Sequence, residues 1–187
     1  MAVAPDARQW VYKYADFLYS YALARLDDET LSKDLVQETF LAAVEKLDQF
    51  KGQSSERTWL TAILKNKVID VYRKRNSALQ QDRIEHEPER EFFEADDGHW
   101  RGIYAPRHCG LDNADDPTLR KELAEILQKC LKKLPALWYS VFKMKHMDEE
   151  ATAVICKELK ITPGNFWVII HRAKLNLRAC IQKEEGI

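Results

Sequence analysis

Apolar positions recur at three- and four-residue steps along most of this chain, the spacing of helices with one buried face. Trp10, Tyr14, Phe17, Leu18, Tyr21 and Leu26 form the first stripe, which Asp27 and Asp28 interrupt. A second stripe runs through Leu31, Leu35 or Val36, Phe40, Ala43, Val44 and Leu47. Its helix starts near Thr30 or Ser32, either of which can cap it, with Asp34 in the first turn where the helix dipole favours an acid. The loop "KGQSSERT" follows Phe50, and Ser55 caps a third helix from about Glu56 to Arg75. That helix buries Trp59, Leu60, Ile63, Leu64, Val68 and Val71, and ends in the cationic run "YRKR".

Between Asn76 and Pro117 no apolar period is sustained, although Glu89 to Glu94 could form a short helix. Periodicity returns with Leu123, Ile126, Leu127, Cys130, Leu131 and Leu134, and Pro135 restarts the chain. The next helix turns Leu137, Val141, Phe142 and Met144 inward. Asp148 is placed to cap a short helix with Ala151, Val154, Ile155 and Leu159 inward. Thr162 caps the last helix, which carries Pro163 at its first position, where a missing N–H costs nothing, and runs to about Gln182. No strand pattern survives, so the expected fold is all-α: two small helical domains joined by an acidic linker.

Charge sharpens that division. The chain has 187 residues and a net charge of −1. Signs nearly cancel up to Gln80, acids dominate from Gln81 to Pro117, and bases dominate afterwards. The expected boundaries are therefore 1–78, a linker over 79–117, and 118–187. No apolar run approaches the ~20 residues that span a bilayer, and the N-terminus lacks a secretion signal, so a cytoplasmic protein without membrane insertion is expected. Cys109, Cys130, Cys156 and Cys180 show no C-x-x-C pairing; in a reducing compartment Cys130, Cys156 and Cys180 read as small, partly buried side chains. His86, His99, His108 and Cys109 match no usual ligand spacing, so no metal or cofactor is expected. No phosphate loop, nucleophile elbow or zinc-hydrolase string is present, which leaves an enzyme reading without support.

The last two helices have the lengths of a helix-turn-helix, a pattern shared with ordinary helical hairpins. On a helical wheel Phe166, Ile170, Ala173 and Leu177 make the core stripe. Trp167, Val168 and Ile169 are left over, beside the cations Lys157, Lys160, Arg172, Lys174 and Arg178.

Two stretches together resemble a known family. "DLVQETFLAAVEKLDQFKGQSSERTWLTAILKNKVIDVYRKR", Asp34 to Arg75, is similar to the second conserved region of bacterial sigma factors of the sigma-70 family. "LPALWYSVFKMKHMDEEATAVICKELKITPGNFWVIIHRAKLNLR", Leu134 to Arg178, resembles their fourth region. Two regions and a variable linker, with no third domain between, resemble the extracytoplasmic-function group.

The resemblance implies a promoter-specificity subunit of RNA polymerase with no catalysis of its own, controlled by an anti-sigma factor. It implies that Asp34, Gln37, Glu38 and Leu41 grip a coiled coil of the largest subunit of core polymerase, with the polymerase flap as a further contact. Acids and amides on that face suit arginines of a partner helix. Lys51, Gln53, Ser54, Arg57, Lys65, Asn66, Asp70, Arg73 and Lys74 would open and read the −10 element of promoter DNA. An alternative for Asp70 is a local pair with Arg73 or Lys74. The −35 element falls to Thr162, Asn165, Trp167, Val168, His171 and Arg172. Where relatives often carry Lys or Arg, this chain has Trp167 and Ile169; apolar groups can touch the thymine methyl, or this pair can dock a protein. Two other readings remain: a stand-alone helix-turn-helix regulator, and a sigma-like interaction module that no longer reads promoters.

Overall fold

A computed structural model of the chain describes residues 7–79 and 117–184. Every regular element among the described residues is helical, as the periodicity requires: α1 (Ala7–Leu26), α2 (Glu29–Glu45), a 3-10 turn (Leu47–Gln49), α3 (Glu56–Leu79), α4 (Pro117–Lys132), α5 (Ala136–His146), α6 (Thr152–Leu159) and α7 (Pro163–Glu184). The chain divides between Lys74 and Arg75 into two compact units. Glu89–Glu94 and the linker histidines and cysteine, His86, His99, His108 and Cys109, lie outside the described residues.

In the first unit Trp10, Leu18, Ala22 and Leu26 of α1 meet Leu35, Val36 and Ala43 of α2 and Leu60, Leu64, Val68, Ile69 and Tyr72 of α3 in one core. The turn from α1 to α2 needs only two residues. Asp27 takes a left-handed conformation, φ 53°, which a short polar side chain tolerates. Asp28, rather than Thr30 or Ser32, is the N-cap, its carboxylate accepting from the Leu31 amide at 2.9 Å. An aspartate there satisfies an otherwise orphaned donor and also places a charge at the positive end of the helix dipole. Ser32 is instead buried.

Three contacts fix α3 against α1: Tyr14 donates to Glu56 at 3.0 Å, Arg57 lies over the Phe17 ring at 3.7 Å, and Tyr72 donates to the Arg25 carbonyl at 3.0 Å. Because both members of each pair rise together in sequence, α3 runs parallel to α1. Trp59 packs edge-on to Trp10 and tilted on Phe50, with ring centroids 5.8 and 5.0 Å apart, so it is a packing residue. Val44, placed inward by its periodicity, is 53% exposed. It lies on the outer stripe with Gln37 and Leu41, while its neighbour Ala43 faces the core.

In the second unit α7 packs on α4, α5 and α6. Three neighbours bury a wider arc than one stripe. Ile169 and Leu175 are therefore buried alongside Phe166, Ile170, Ala173 and Leu177, and Ile169 is core rather than a residue left over. Asp148 does not cap α6: that helix starts at Thr152 behind Ala151, whose side chain cannot cap. Glu149 turns the chain left-handed, φ 53°, which delays the helix start. Ala151 and Val154 consequently face outward.

Cys130 and Cys180 are not separate small side chains. A disulfide joins them, Cα–Cα 5.8 Å, tying α4 to the far end of α7. The spacing carried no hint of it, because the two residues stand 50 apart and meet only when the helices pack. Leu131 and Leu177 are buried beside the bridge with Ile126, Leu127, Leu134 and Ile181 around them. Cys156 stays a buried free thiol, as expected.

Candidate nucleic-acid interface

Three polar surfaces, two in the first unit and one in the second, collect the residues singled out by the sequence. On α2 of the first unit, Asp34, Gln37, Glu38 and Leu41 are all exposed, Leu41 at 66%. Their spacing puts them on the side opposite Leu35, Val36, Thr39 and Ala43, which face the core. Thr39 reaches the core without penalty because its hydroxyl donates to the Leu35 carbonyl at 2.7 Å. Exposed Val44 extends the outer stripe by one turn. Glu38 is engaged: Lys67 of α3 donates to its carboxylate at 2.9 Å. No sequence pattern marks Lys67 for this role, since the register between α2 and α3 appears only on packing.

The loop before α3 presents Lys51, Gln53 and Ser54 to solvent. Gly52 between them has φ 69°, the left-handed region where a residue without a Cβ is at ease. Ser55 caps α3 as expected, its hydroxyl accepting from the Thr58 amide at 3.1 Å. Arg57 in the first turn is held by the Phe17 ring, a support missed in the sequence because it comes from α1. One face of α3 then carries exposed Asn66, Asp70 and Lys74 with half-buried Lys65 and Arg73. Asp70 and Arg73 form the local pair considered above, at 2.8 Å. From Arg57 to Lys74 this surface extends about 25 Å along the helix. The Tyr14 phenol, at the start of α3, is held above its ordinary pKa, first by desolvation and then by its bond to Glu56.

In the second unit α6 and α7 form the helix-turn-helix. Lys160 ends α6 in a left-handed conformation, φ 55°, and the Ile161 amide returns to the Cys156 carbonyl at 3.0 Å. Thr162 then caps α7, accepting from the Asn165 amide at 3.2 Å. Thr162, Asn165, Trp167, Val168 and His171 are exposed, whereas Arg172 is half-buried with its Nε enclosed. Lys157, Lys160 and Lys174 are exposed at the edges of this face. On α5, the exposed His146 packs with its ring tilted 44° to that of Phe142, ring centroids 4.5 Å apart. Its pKa is pushed down by burial and by the charges of Lys174 and Lys145. The geometry thus offers a cationic, acceptor-and-donor-bearing helix of the size a DNA major groove admits, with two apolar side chains at its tip.

Among the described residues no group of His, Cys, Asp or Glu is arranged to hold a metal ion. No described helix is long and apolar enough to cross a membrane.

Comparison with known proteins gives the family. Residues 10–78 match the family model for sigma-70 region 2. A probable RNA polymerase sigma factor of Haemophilus influenzae is 34% identical over 167 residues, covering 89% of this chain and 85% of its own length. The extracytoplasmic-function RNA polymerase sigma factor SigW of Bacillus subtilis is 26% identical, covering 88% of this chain and 83% of its own. The structure of the sigma factor RpoE of Bartonella quintana in complex with the anti-sigma factor NepR aligns over 92% of this chain and 94% of that one, with 21% identity and a TM-score of 0.45. The chain belongs to the sigma-70 family of RNA polymerase sigma factors, within its extracytoplasmic-function group.

Proposed function

We propose that this protein is a promoter-specificity subunit: it binds core RNA polymerase, directs initiation at promoters with −35 and −10 elements, and leaves catalysis to the polymerase. The observation that carries this is family membership over both units, combined with exposed polar surfaces at the corresponding helices. The division of labour we propose is region 2 over 1–78, a linker over 79–117 and region 4 over 118–187.

The outer stripe of α2, Asp34, Gln37, Glu38 and Leu41, takes the polymerase coiled coil. Its carboxylates and amide suit arginines, and Leu41 supplies apolar area at the centre. The loop and α3 take melted −10 DNA: Lys51, Arg57, Lys65, Arg73 and Lys74 provide cations along the strand, and Gln53, Ser54, Asn66 and Asp70 provide polar contacts for unpaired bases. In the second unit Thr162, Asn165, Trp167, Val168, His171 and Arg172 face the −35 duplex, with Lys157, Lys160 and Lys174 near phosphates. An anti-sigma factor holds the protein inactive by covering these surfaces. The cytoplasm, where polymerase works, is its place of action.

The test is reconstitution. Purified chain mixed with core RNA polymerase should form a one-to-one complex that starts RNA at defined points on its own genomic DNA. A complex that forms and never initiates would favour an interaction module. Absence of any complex would leave a stand-alone regulator.

A further inference from the structure

The tip of α7 exposes two apolar side chains that the core does not use. Trp167 is 61% exposed and Val168 41%, while their neighbours Phe166, Ile169 and Ile170 are buried. Trp167 is also braced: its ring stands edge-on to the buried Phe166 ring, 5.1 Å between centroids and 80° between planes. An exposed aromatic held in place in this way loses little freedom on contact.

The surroundings indicate what this pair meets. Thr162, Asn165 and His171 are exposed on the same helix, and Lys157, Lys160 and Lys174 are exposed around it. From Pro163 to Lys183 the helix contains no acidic residue; Glu184, at its far end, is bound to Lys133 at 2.7 Å. This charge pattern complements a polyanion. In the major groove every base edge shows donors or acceptors, and only thymine adds an apolar group, its 5-methyl. An apolar side chain pressed on any other base edge would strip water from donors or acceptors without replacing their hydrogen bonds.

We infer that Trp167 and Val168 are specificity-determining residues that select thymine, through its 5-methyl group, within the upstream promoter element. This rests on the promoter-reading role proposed above for α7. Asn165 and His171 then read polar edges on either side, and the lysines fix register on the phosphates.

The test uses the reconstituted holoenzyme on a promoter located by mapping its own start sites. Each thymine of the upstream element is replaced in turn by deoxyuridine, which removes the methyl and nothing else. Initiation at sub-saturating holoenzyme should fall about four-fold for each contacted methyl, the effect of exposing one buried methyl group. With Trp167→Ala or Val168→Ala holoenzyme, the thymine and deoxyuridine promoters should perform alike at the corresponding base, because the interaction being removed is already absent.

The inference is overturned if no upstream thymine is sensitive, or if sensitivity survives both substitutions. It is also overturned if Trp167→Ala weakens assembly with core polymerase while initiation per assembled complex is unchanged, which would make the pair a protein-docking patch. The deoxyuridine arm needs no variant protein, so it holds even if a substitution disturbs folding. A holoenzyme that starts RNA at no promoter is a distinct failure: it removes the sigma-factor role itself, and this inference with it.

Discussion

Replacing Cys130 and Cys180 together by alanine removes the covalent tie between α4 and α7. The bridge closes a loop of 50 residues that contains α5, α6 and all but the last turn of α7. Closing such a loop takes about 14 cal/mol/K of chain entropy from the unfolded state, or about 4 kcal/mol at 25 °C. Without it, α4 keeps its apolar contacts through Leu131, Ile126, Leu127 and Leu134, and the exposed Lys133–Glu184 pair, which lowers the Glu184 pKa by its hydrogen bond. An ion pair so exposed holds little by itself. With a guanidinium dependence of about 2 kcal/mol/M for a unit of this size, the unfolding midpoint of the second unit should fall by about 2 M.

The assay is guanidinium unfolding followed by circular dichroism, on the native protein with and without a dithiol reductant and on the alanine variant. Reductant should shift the native protein by the same amount and leave the variant unmoved. Alanine is preferred to serine because a hydroxyl at the 1%-exposed Cys130 would add its own desolvation cost. A shift below about 0.5 M on reduction would refute the loop-closure reasoning, since it would leave less than a quarter of the calculated effect.

Other predictions are independent of that bridge. Gln37→Ala with Glu38→Ala should weaken binding to core polymerase at least about ten-fold, 1.4 kcal/mol, with helical content unchanged; unaltered affinity in a titration would move the polymerase contact off α2. Lys160→Gly should stabilise the second unit by about 0.5–1 kcal/mol, because glycine accepts the left-handed backbone that lysine adopts at a cost; a thermal melt that shifts downward would count against it. The depressed pKa of His146 sets a pH dependence. The folded protein holds the neutral imidazole, so as pH falls below about 6.5 the unfolded state binds the proton first and stability declines, levelling off only below the folded pKa. His146→Gln should flatten thermal stability between about pH 5 and 7 relative to the native protein, and an unchanged slope would assign the dependence to another group.

The sequence by itself determined what local chemistry can determine. Helix periodicity established an all-α chain, and Ser55 and Thr162 cap α3 and α7 as expected because a cap bonds to an amide three residues away. Phe166, Ile170, Ala173 and Leu177 are core as their spacing requires. Asp34, Gln37 and Leu41 are exposed for the complementary reason, lying opposite the stripe that α1 covers. The motif strings in their order carried the family.

Only the tertiary structure decided how many neighbours each helix has. Because α7 packs on three helices, its buried arc widens to take in Ile169 and leaves only Trp167 and Val168 outside. In the last turn of α2, packing buries Ala43 and leaves Val44 in solvent. The Glu38–Lys67 pair, the Arg57–Phe17 contact and the Cys130–Cys180 bridge join residues 29, 40 and 50 positions apart. Each depends on the relative register of two helices. A one-residue change in that register rotates a side chain by about 100° around its helix, and no local pattern in the sequence fixes it.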